Sequence, residues 1–135
     1  VGHRDARYEY FGWASARLDD AANWIPARLT GTFIALAAGL ATWQWERVRS
    51  SWHILHRDGD KHASPNSGRP EAAMAGALGV QLGGRNYYDG VWEDRPPIGE
   101  GTSLLTINHI AEARDIMVVT WGLGLFFALL SLWQS

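Results

Sequence analysis

The chain has 135 residues, no cysteine and a formal net charge of −2. That length holds one modest domain at most, disulfides and thiolate metal sites are excluded, and the slightly acidic balance gives no electrostatic footing for nucleic acid. The apolar residues are gathered into two blocks, Leu29 to Trp45 and Met117 to Trp133, neither of which contains a charged residue.

From Val1 to Gly12 charge mixes with aromatics without a clean period, which reads as a loop or interfacial segment. Val1 follows no initiator Met and no leader pattern follows it, so the chain reads as a piece of something longer. From Trp13 the run is helical in pattern, with Ser15 as a possible cap. Asp19 and Asn23 stand four apart on one face with Asp20 about 100° round from Asp19. Two carboxylates and an amide so placed could hold one Mg²⁺ through oxygen ligands, and the plainer alternative is a solvated face in which Arg17 pairs with Asp20. Pro26 then kinks or restarts the helix.

Each apolar block runs about 17 residues. At ~1.5 Å per residue it covers roughly 25 Å, the short end for spanning a hydrocarbon core of about 30 Å. Trp24, Trp43, Trp45, Trp121 and Trp133 lie at or near the block ends as an aromatic belt would, and Arg28 could snorkel. The alternative for each block is a buried helix. Between them, Glu46 to Arg57 reads as an amphipathic continuation. Its His53 and His56 are three apart but have no third ligand nearby, so a basic helix facing headgroups or a partner is the better reading.

The centre is the polar stretch Arg57 to Glu71, RDGDKHASPNSGRPE, which is costly to order unless it binds something. Pro65 disfavours helix at Ser64, and Asn66, Ser67 and Gly68 suit an irregular loop. Pro70 suits a helix start and Gly79 a helix end, which predicts a helix over Pro70 to Leu78. Ala72 with Gly76, and Ala73 with Ala77, let another backbone come close. Amides at such a helix N-terminus attract phosphate or carboxylate, and Glu71 would oppose the anion unless Mg²⁺ lay between. Lys61, the only lysine of the chain, with Arg57 and Arg69, supplies the charge a phosphate wants. The plain alternative is that Asn66 and Ser67 merely cap and turn.

Beyond this, Gly79 to Leu82 and Tyr87 to Trp92 predict a small hairpin. Asn86, Tyr87, Tyr88 and Asp89 could form a stacking wall with a polar rim for a large planar ligand, or only a packed turn. Thr106 or Asn108 can cap the last helix. No P-loop, dinucleotide fingerprint, HExxH or GxSxG occurs.

HASPNSGRPEAAMAGALGVQLGGRNYYDG, preceded by RDG and by YEYFGWASARLDDAANWIPARLTG, resembles the CobD/CbiB family of cobalamin-biosynthesis membrane proteins, adenosylcobinamide-phosphate synthases. The similarity spans nearly the whole chain and matches the C-terminal part of the family. Arg69 stands where the family often has an aromatic residue. The resemblance implies an integral membrane enzyme that uses ATP and Mg²⁺ to join 1-amino-2-propanol, or its O-phosphate, to a propionate of adenosylcobyric acid. On the demands of that chemistry, Asp19, Asp20 and Glu71 would hold Mg²⁺ with Asn23 in support. Arg57, Lys61, Ser64, Asn66 and Ser67 would meet phosphate, His62 would be a base for the incoming ammonium or a hydrogen-bond donor, and Asn86, Tyr87, Tyr88 and Asp89 would face the corrinoid. Lys61, His62, Asn66 and Glu71 form the catalytic set.

The expected fold class is mainly α: an integral membrane protein with two short apolar helices, 29–45 and 117–133, flanking the polar region 57–90, with a possible small hairpin. The whole chain, 1–135, would be the C-terminal part of a single membrane domain in the cell membrane, multi-pass, with the bilayer, the corrinoid, the amino alcohol and the rest of its own chain as partners. Other cobalamin-biosynthesis membrane proteins are further candidate partners. Arginine and lysine counts favour the Glu46 side as cytoplasmic. If 29–45 spanned, however, Asp19 and His62 would lie on opposite faces, so either that block is re-entrant or buried, or Asp19 and Asp20 are structural. The alternative function is a non-catalytic sensor or assembly partner resembling the AmpE proteins.

Overall fold

The computed structural model describes residues 9–62, 64, 66–88 and 90–134, without the side chains of residues 9–12, 86 and 88. The first eight residues of the opening segment and Asp89 lie outside the described residues. The elements are helices α1 (Glu9–Ala22), α2 (Trp24–Thr42), α3 (Trp45–Asp58) and α4 (Gly68–Leu78), strands β1 (Gln81–Tyr88) and β2 (Val91–Gly99), and helix α5 (Ile107–Trp133). The protein is mainly helical, as the pattern predicts.

Several boundaries differ from the expected ones. Helix α1 starts before Trp13 and runs through Ser15, which is therefore not a cap. Gly12 alone does not stop it, since an interior glycine costs only about 1 kcal/mol. The chain restarts at Asn23, and Pro26 falls in the first turn of α2, where its missing N–H has no intrahelical partner to lose.

The helix of the first apolar block stops three residues short of the expected end at Trp45. It ends at Thr42, Trp43 takes a left-handed conformation with φ 56°, and Trp45 opens α3. Two glycines show how close the return path runs. A Cβ on Gly39 would strike the Val48 side chain, and one on Gly31 would lie 3.0 Å from Leu55 Cδ1 and 3.7 Å from the Arg69 carbonyl. The end of α2 therefore meets the start of α3, and its beginning meets the end of α3. The two helices are antiparallel, with Gly31, Ala35, Ala38 and Gly39 buried on α2.

Helix α4 packs antiparallel on α3 through the small residues that the sequence placed four apart. A Cβ on Gly76 would sit 2.7 Å from both Ser50 O and Ser51 Cα, and Ser51 Oγ donates to the Ala73 carbonyl at 2.7 Å. Ile34, Ala37, Ala38, Leu55, Ala73, Ala77 and Ile116 form the core where α2, α3, α4 and α5 meet. A second cluster, with Ile54, Ala72, Ala75, Val80 and Ile98, seats the hairpin on α3 and α4.

Helix α5 is longer than its apolar block. Thr106 accepts from the His109 N–H while His109 Nδ1 accepts from the Thr106 N–H, a reciprocal cap with histidine in the usual Glu or Gln place. Arg47 bridges Glu112 at 2.5 Å and Phe33 meets Phe127 with centroids 5.9 Å apart, so α5 runs antiparallel to α2. By length and composition α2 and α5 can each cross a membrane, although more than a third of the α2 stretch is covered by the rest of the fold and only 11% of the α5 stretch is. Helix α3 carries exposed Glu46 and Arg49 back alongside α2. The reversal thus returns the α3–α4 loop to the α1 end of α2, where Asn66 bonds the Asp20 carbonyl.

The hairpin is longer than expected. Tyr87 pairs with Trp92 across it, so the run Tyr87 to Trp92 straddles the reversal at Gly90 instead of forming one strand. The strands continue through Gly83 and Gly84, which take positive φ at a register shift, and through Pro96 and Pro97, which an edge strand tolerates.

Candidate functional site at the N-terminus of helix α4

Helix α3 ends where Gly59 N–H bonds the Leu55 carbonyl, and the preceding residue, Asp58, turns its side chain inward with no exposed surface. Its two oxygens accept from Arg57 Nε and Nη2 at 2.7 Å, from Lys61 Nζ at 2.7 Å and from the Gly99 N–H at 2.8 Å. The Arg57 guanidinium foremost, then Lys61 and the Gly99 amide, holds the Asp58 carboxyl well below the usual carboxylate range against the opposing effect of burial. Arg57 is further engaged by Glu100 and by the Gly99 carbonyl. This knot joins the end of α3 to the end of β2.

Asp58 was not among the residues singled out from the sequence. The signal was present, an aspartate directly after one cation and three before another, but its burial depends on β2, which is distant in sequence.

The loop then folds back on itself. A Cβ on Gly68 would lie 2.6 Å from the Gly59 carbonyl and 2.7 Å from His62 Cβ, so only glycine admits that approach. Within the loop, Ser64 Oγ accepts from the N–H groups of Asn66 and Ser67, and His62 Nδ1 accepts from the Ser64 N–H at 3.1 Å and pairs with Ser67 Oγ at 2.7 Å. Asn66 Nδ2 reaches across to the Asp20 carbonyl at 2.8 Å, tying the loop to α1.

The expected site residues separate onto two sides of this loop. A cleft of about 360 Å³ toward α1 and α2 is lined by Asp19, Asn23, Thr30, Ser64, Asn66 and Ser67. Another of about 390 Å³ toward the hairpin is lined by Lys61, His62, Glu71, Glu93, Asp94 and Arg95. Glu71 also borders an adjoining space with Arg85, Arg95 and Ser103. The structure thus brings Lys61, His62 and Glu71 together, and separately brings Asp19 and Asn23 to Ser64, Asn66 and Ser67.

Three expectations need correction. Asp19, Asp20, Asn23 and Glu71 do not fit one Mg²⁺ site: Asp19 and Glu71 line different clefts, Asp19 accepts from Asn23 Nδ2 at 3.0 Å, and no three His, Asp or Glu side chains gather among the described residues. Arg57 and Arg69 are not available phosphate ligands as they stand, because Arg57 is held by Asp58 and Glu100, and Arg69 bridges Asp60 at 2.7 Å. Finally, Arg17 lies over the Trp13 ring, 5.5 Å from its centroid, and among the described residues no ion pair joins it to Asp20.

On the hairpin, Tyr87 and Trp92 pack with centroids 5.1 Å apart and Arg85 lies over Trp92 at 4.9 Å. The exposed aromatic surface is built from Tyr87 and Trp92 across the strands, where the sequence suggested Tyr87 and Tyr88 along one. The side chains of Asn86 and Tyr88 lie outside those described. His56 bonds the Trp52 carbonyl and packs tilted against the Trp52 ring, with centroids 4.5 Å apart, which is a structural role.

Residues 1–117 match the family model described as CobD/Cbib protein. The chain is 59% identical over 100 residues to the cobalamin biosynthesis protein CobD of Geobacter metallireducens, covering 74% of this chain and 30% of that protein. It is 39% identical over 129 residues to CobD of Clostridium perfringens, covering 96% and 40%, and 41% identical over 131 residues to the cobalamin biosynthesis protein CbiB of Salmonella choleraesuis, covering 95% and 40%. The chain therefore spans between 30% and 40% of the length of these relatives. No solved structure matches it.

Proposed function

The chain belongs to the CobD/CbiB family, whose members are cobalamin biosynthesis proteins, and from that premise we propose that it carries the reactive loop of an ATP-dependent amide ligase. The ligase joins (R)-1-amino-2-propanol, or its O-phosphate, to a propionate of adenosylcobyric acid and yields adenosylcobinamide or its phosphate. It is an integral protein of the cell membrane, with the loop between α3 and α4 on the cytoplasmic side, where ATP and the corrinoid are found.

A carboxylate is a poor electrophile and must be activated by phosphoryl or nucleotidyl transfer before an amine displaces the activating group. The site must therefore neutralise phosphoryl charge, exclude water and deprotonate an ammonium. The observation that carries the reading is the gathering of Lys61, His62 and Glu71 at one cleft, with Lys61 anchored by a buried carboxylate. Lys61 offers its remaining donor to a phosphoryl oxygen, and His62 accepts a proton. Glu71 sits in the first turn of α4, where it orients a donor on the substrate. The hairpin surface of Tyr87 and Trp92 gives a large planar corrinoid an aromatic face to lie against. Mg²⁺ would come with the nucleotide phosphates, since the carboxylates among the described residues do not make a cage for it.

The test uses the full-length protein in detergent with ATP, Mg²⁺, adenosylcobyric acid and aminopropanol phosphate. Wild type is expected to form the corrinoid amide, and a folded Glu71→Gln to form it about a hundredfold more slowly. A wild-type protein that binds corrinoid but forms no amide would overturn the ligase in favour of a binding or assembly role.

A further inference from the structure

The α3–α4 loop separates two clefts of different chemistry, and one hydrogen bond crosses it. On the side of α1 and α2, the described lining includes the Asp19 carboxylate and no Lys, Arg or His. Asn66, only 6% exposed, lines the same cleft. Its Nδ2 faces the Asp20 carbonyl, which can only accept, so the amide orientation is set and Oδ1 is the atom left without a partner. Ser67 lines this cleft as well, while His62 lines the other, and Ser67 Oγ lies 2.7 Å from His62 Nδ1. The Ser64 N–H also points at Nδ1 and can only donate. Nδ1 is therefore the unprotonated ring nitrogen, and the Ser67 hydroxyl donates its proton to it, which leaves the Ser67 oxygen able to accept.

At this cleft stand a carboxylate oxygen, a hydroxyl oxygen and, buried in its wall, an orphaned amide oxygen. Such a set suits a group with one positive charge and several donors, and disfavours an anion. We propose that this cleft is the subsite for the primary ammonium of the amino alcohol, with Asp19, Asn66 and Ser67 as its acceptors, and that Ser67 and His62 relay its proton out of the cleft. The proposal rests on the ligase reading above.

The step balances as follows. The ammonium gives one proton to Ser67 Oγ as the Ser67 hydroxyl proton passes to His62 Nδ1, leaving a neutral amine and an imidazolium. With the activated propionate reaching over the loop from the hairpin side, the amine lone pair attacks the acyl carbon, the C–N bond forms, the C–O bond to the activating phosphoryl group breaks, and the second nitrogen proton leaves on that phosphate. Asp19 and Asn66 are binding residues in this account, and Ser67 and His62 are catalytic residues.

Hydroxylamine distinguishes the two readings, because it is largely unprotonated near neutral pH and traps an activated carboxylate without an ammonium site. Full-length wild type, Ser67→Ala and Asp19→Asn are each supplied with ATP, Mg²⁺ and adenosylcobyric acid. The acceptor is aminopropanol, aminopropanol O-phosphate or hydroxylamine, and thermal unfolding checks the fold. In both variants the ratio of amide to hydroxamate is expected to fall about tenfold or more, Asp19→Asn mainly through KM for the amine and Ser67→Ala mainly through kcat. The aminopropanol and O-phosphate arms show which amine the subsite takes. An unchanged ratio, or an equal fall of both products in folded variants, overturns the subsite while leaving the ligase intact. A wild type that yields neither amide nor hydroxamate overturns the ligase reading itself, and the subsite with it.

Discussion

The Lys61 ammonium stands 2.7 Å from the Asp58 carboxylate, a group with no exposed surface. The same carboxylate takes the Arg57 guanidinium and the Gly99 amide, so the position of the one lysine at the hairpin-side cleft depends on where β2 ends. Closing the hairpin and aiming the lysine are one event.

Replacing Asp58 by Asn therefore leaves Arg57 and Lys61 without their shared counter-charge and offers the Gly99 amide a poorer acceptor. Because the site is buried on the carboxylate side and partly open on the cation side, the loss of stability is expected at about 2–4 kcal/mol. Chemical unfolding followed by tryptophan fluorescence measures it, and a loss under half a kcal/mol would show that the knot is not structural.

The pH dependence has a definite sign. The native Asp58 carboxyl titrates below its unfolded value, so its contribution is fully present above the unfolded carboxylate range near pH ~4 and is lost as pH falls below that range toward the depressed native value. Wild type is expected to lose stability relative to Asp58→Asn over that acid window and to keep a constant advantage above it. Unfolding midpoints at a series of pH values for the two proteins check this.

The contact of α3 with α4 depends on a missing side chain. Gly76→Ala places a methyl 2.7 Å from backbone atoms of Ser50 and Ser51 and is expected to cost about 1–3 kcal/mol. Gly124→Ala in α5, where nothing lies within 4 Å of the added carbon, is expected to be neutral or mildly stabilising. Equal unfolding midpoints for both variants would contradict the close approach.

The reversal at Trp43 sets the sidedness of the two loop clusters. This chain has no cysteine, so single cysteines at Asp20 and Ser64, in a full-length protein cleared of any cysteine elsewhere, report their side directly. Asn66 bonds the Asp20 carbonyl, and both positions are expected to react with an impermeant thiol reagent from the same side. Labelling from opposite sides would rule out the antiparallel return of α3 along α2.

Local signals made much of the fold legible. Pro70 and Gly79 bracket α4 closely, Thr106 caps α5, and the small residues at 72, 73, 76 and 77 do face a close neighbour. These features act within a few residues of one another, through φ preferences, caps and side-chain size. Hydropathy carries the first apolar helix three residues too far, to Trp45 instead of Thr42, because it does not register a left-handed residue at Trp43. The grouping of the site residues failed for a related reason. Spacing puts Asp19 and Glu71 on suitable faces of their own helices, yet says nothing about which side of the α3–α4 loop each face meets.

By itself the sequence determined the helical class, the apolar stretches, the family and the polar loop as the place to look, because composition, period and motif are properties of neighbouring residues. Only the tertiary structure decided that Arg57 is tied up by Asp58 and Glu100, that Lys61, His62 and Glu71 share one cleft while Asp19, Asn66 and Ser67 share another, and that Ser67 and His62 connect the two. Those relations depend on where α3 reverses and where β2 ends, and such long-range placements follow from packing rather than from local preference.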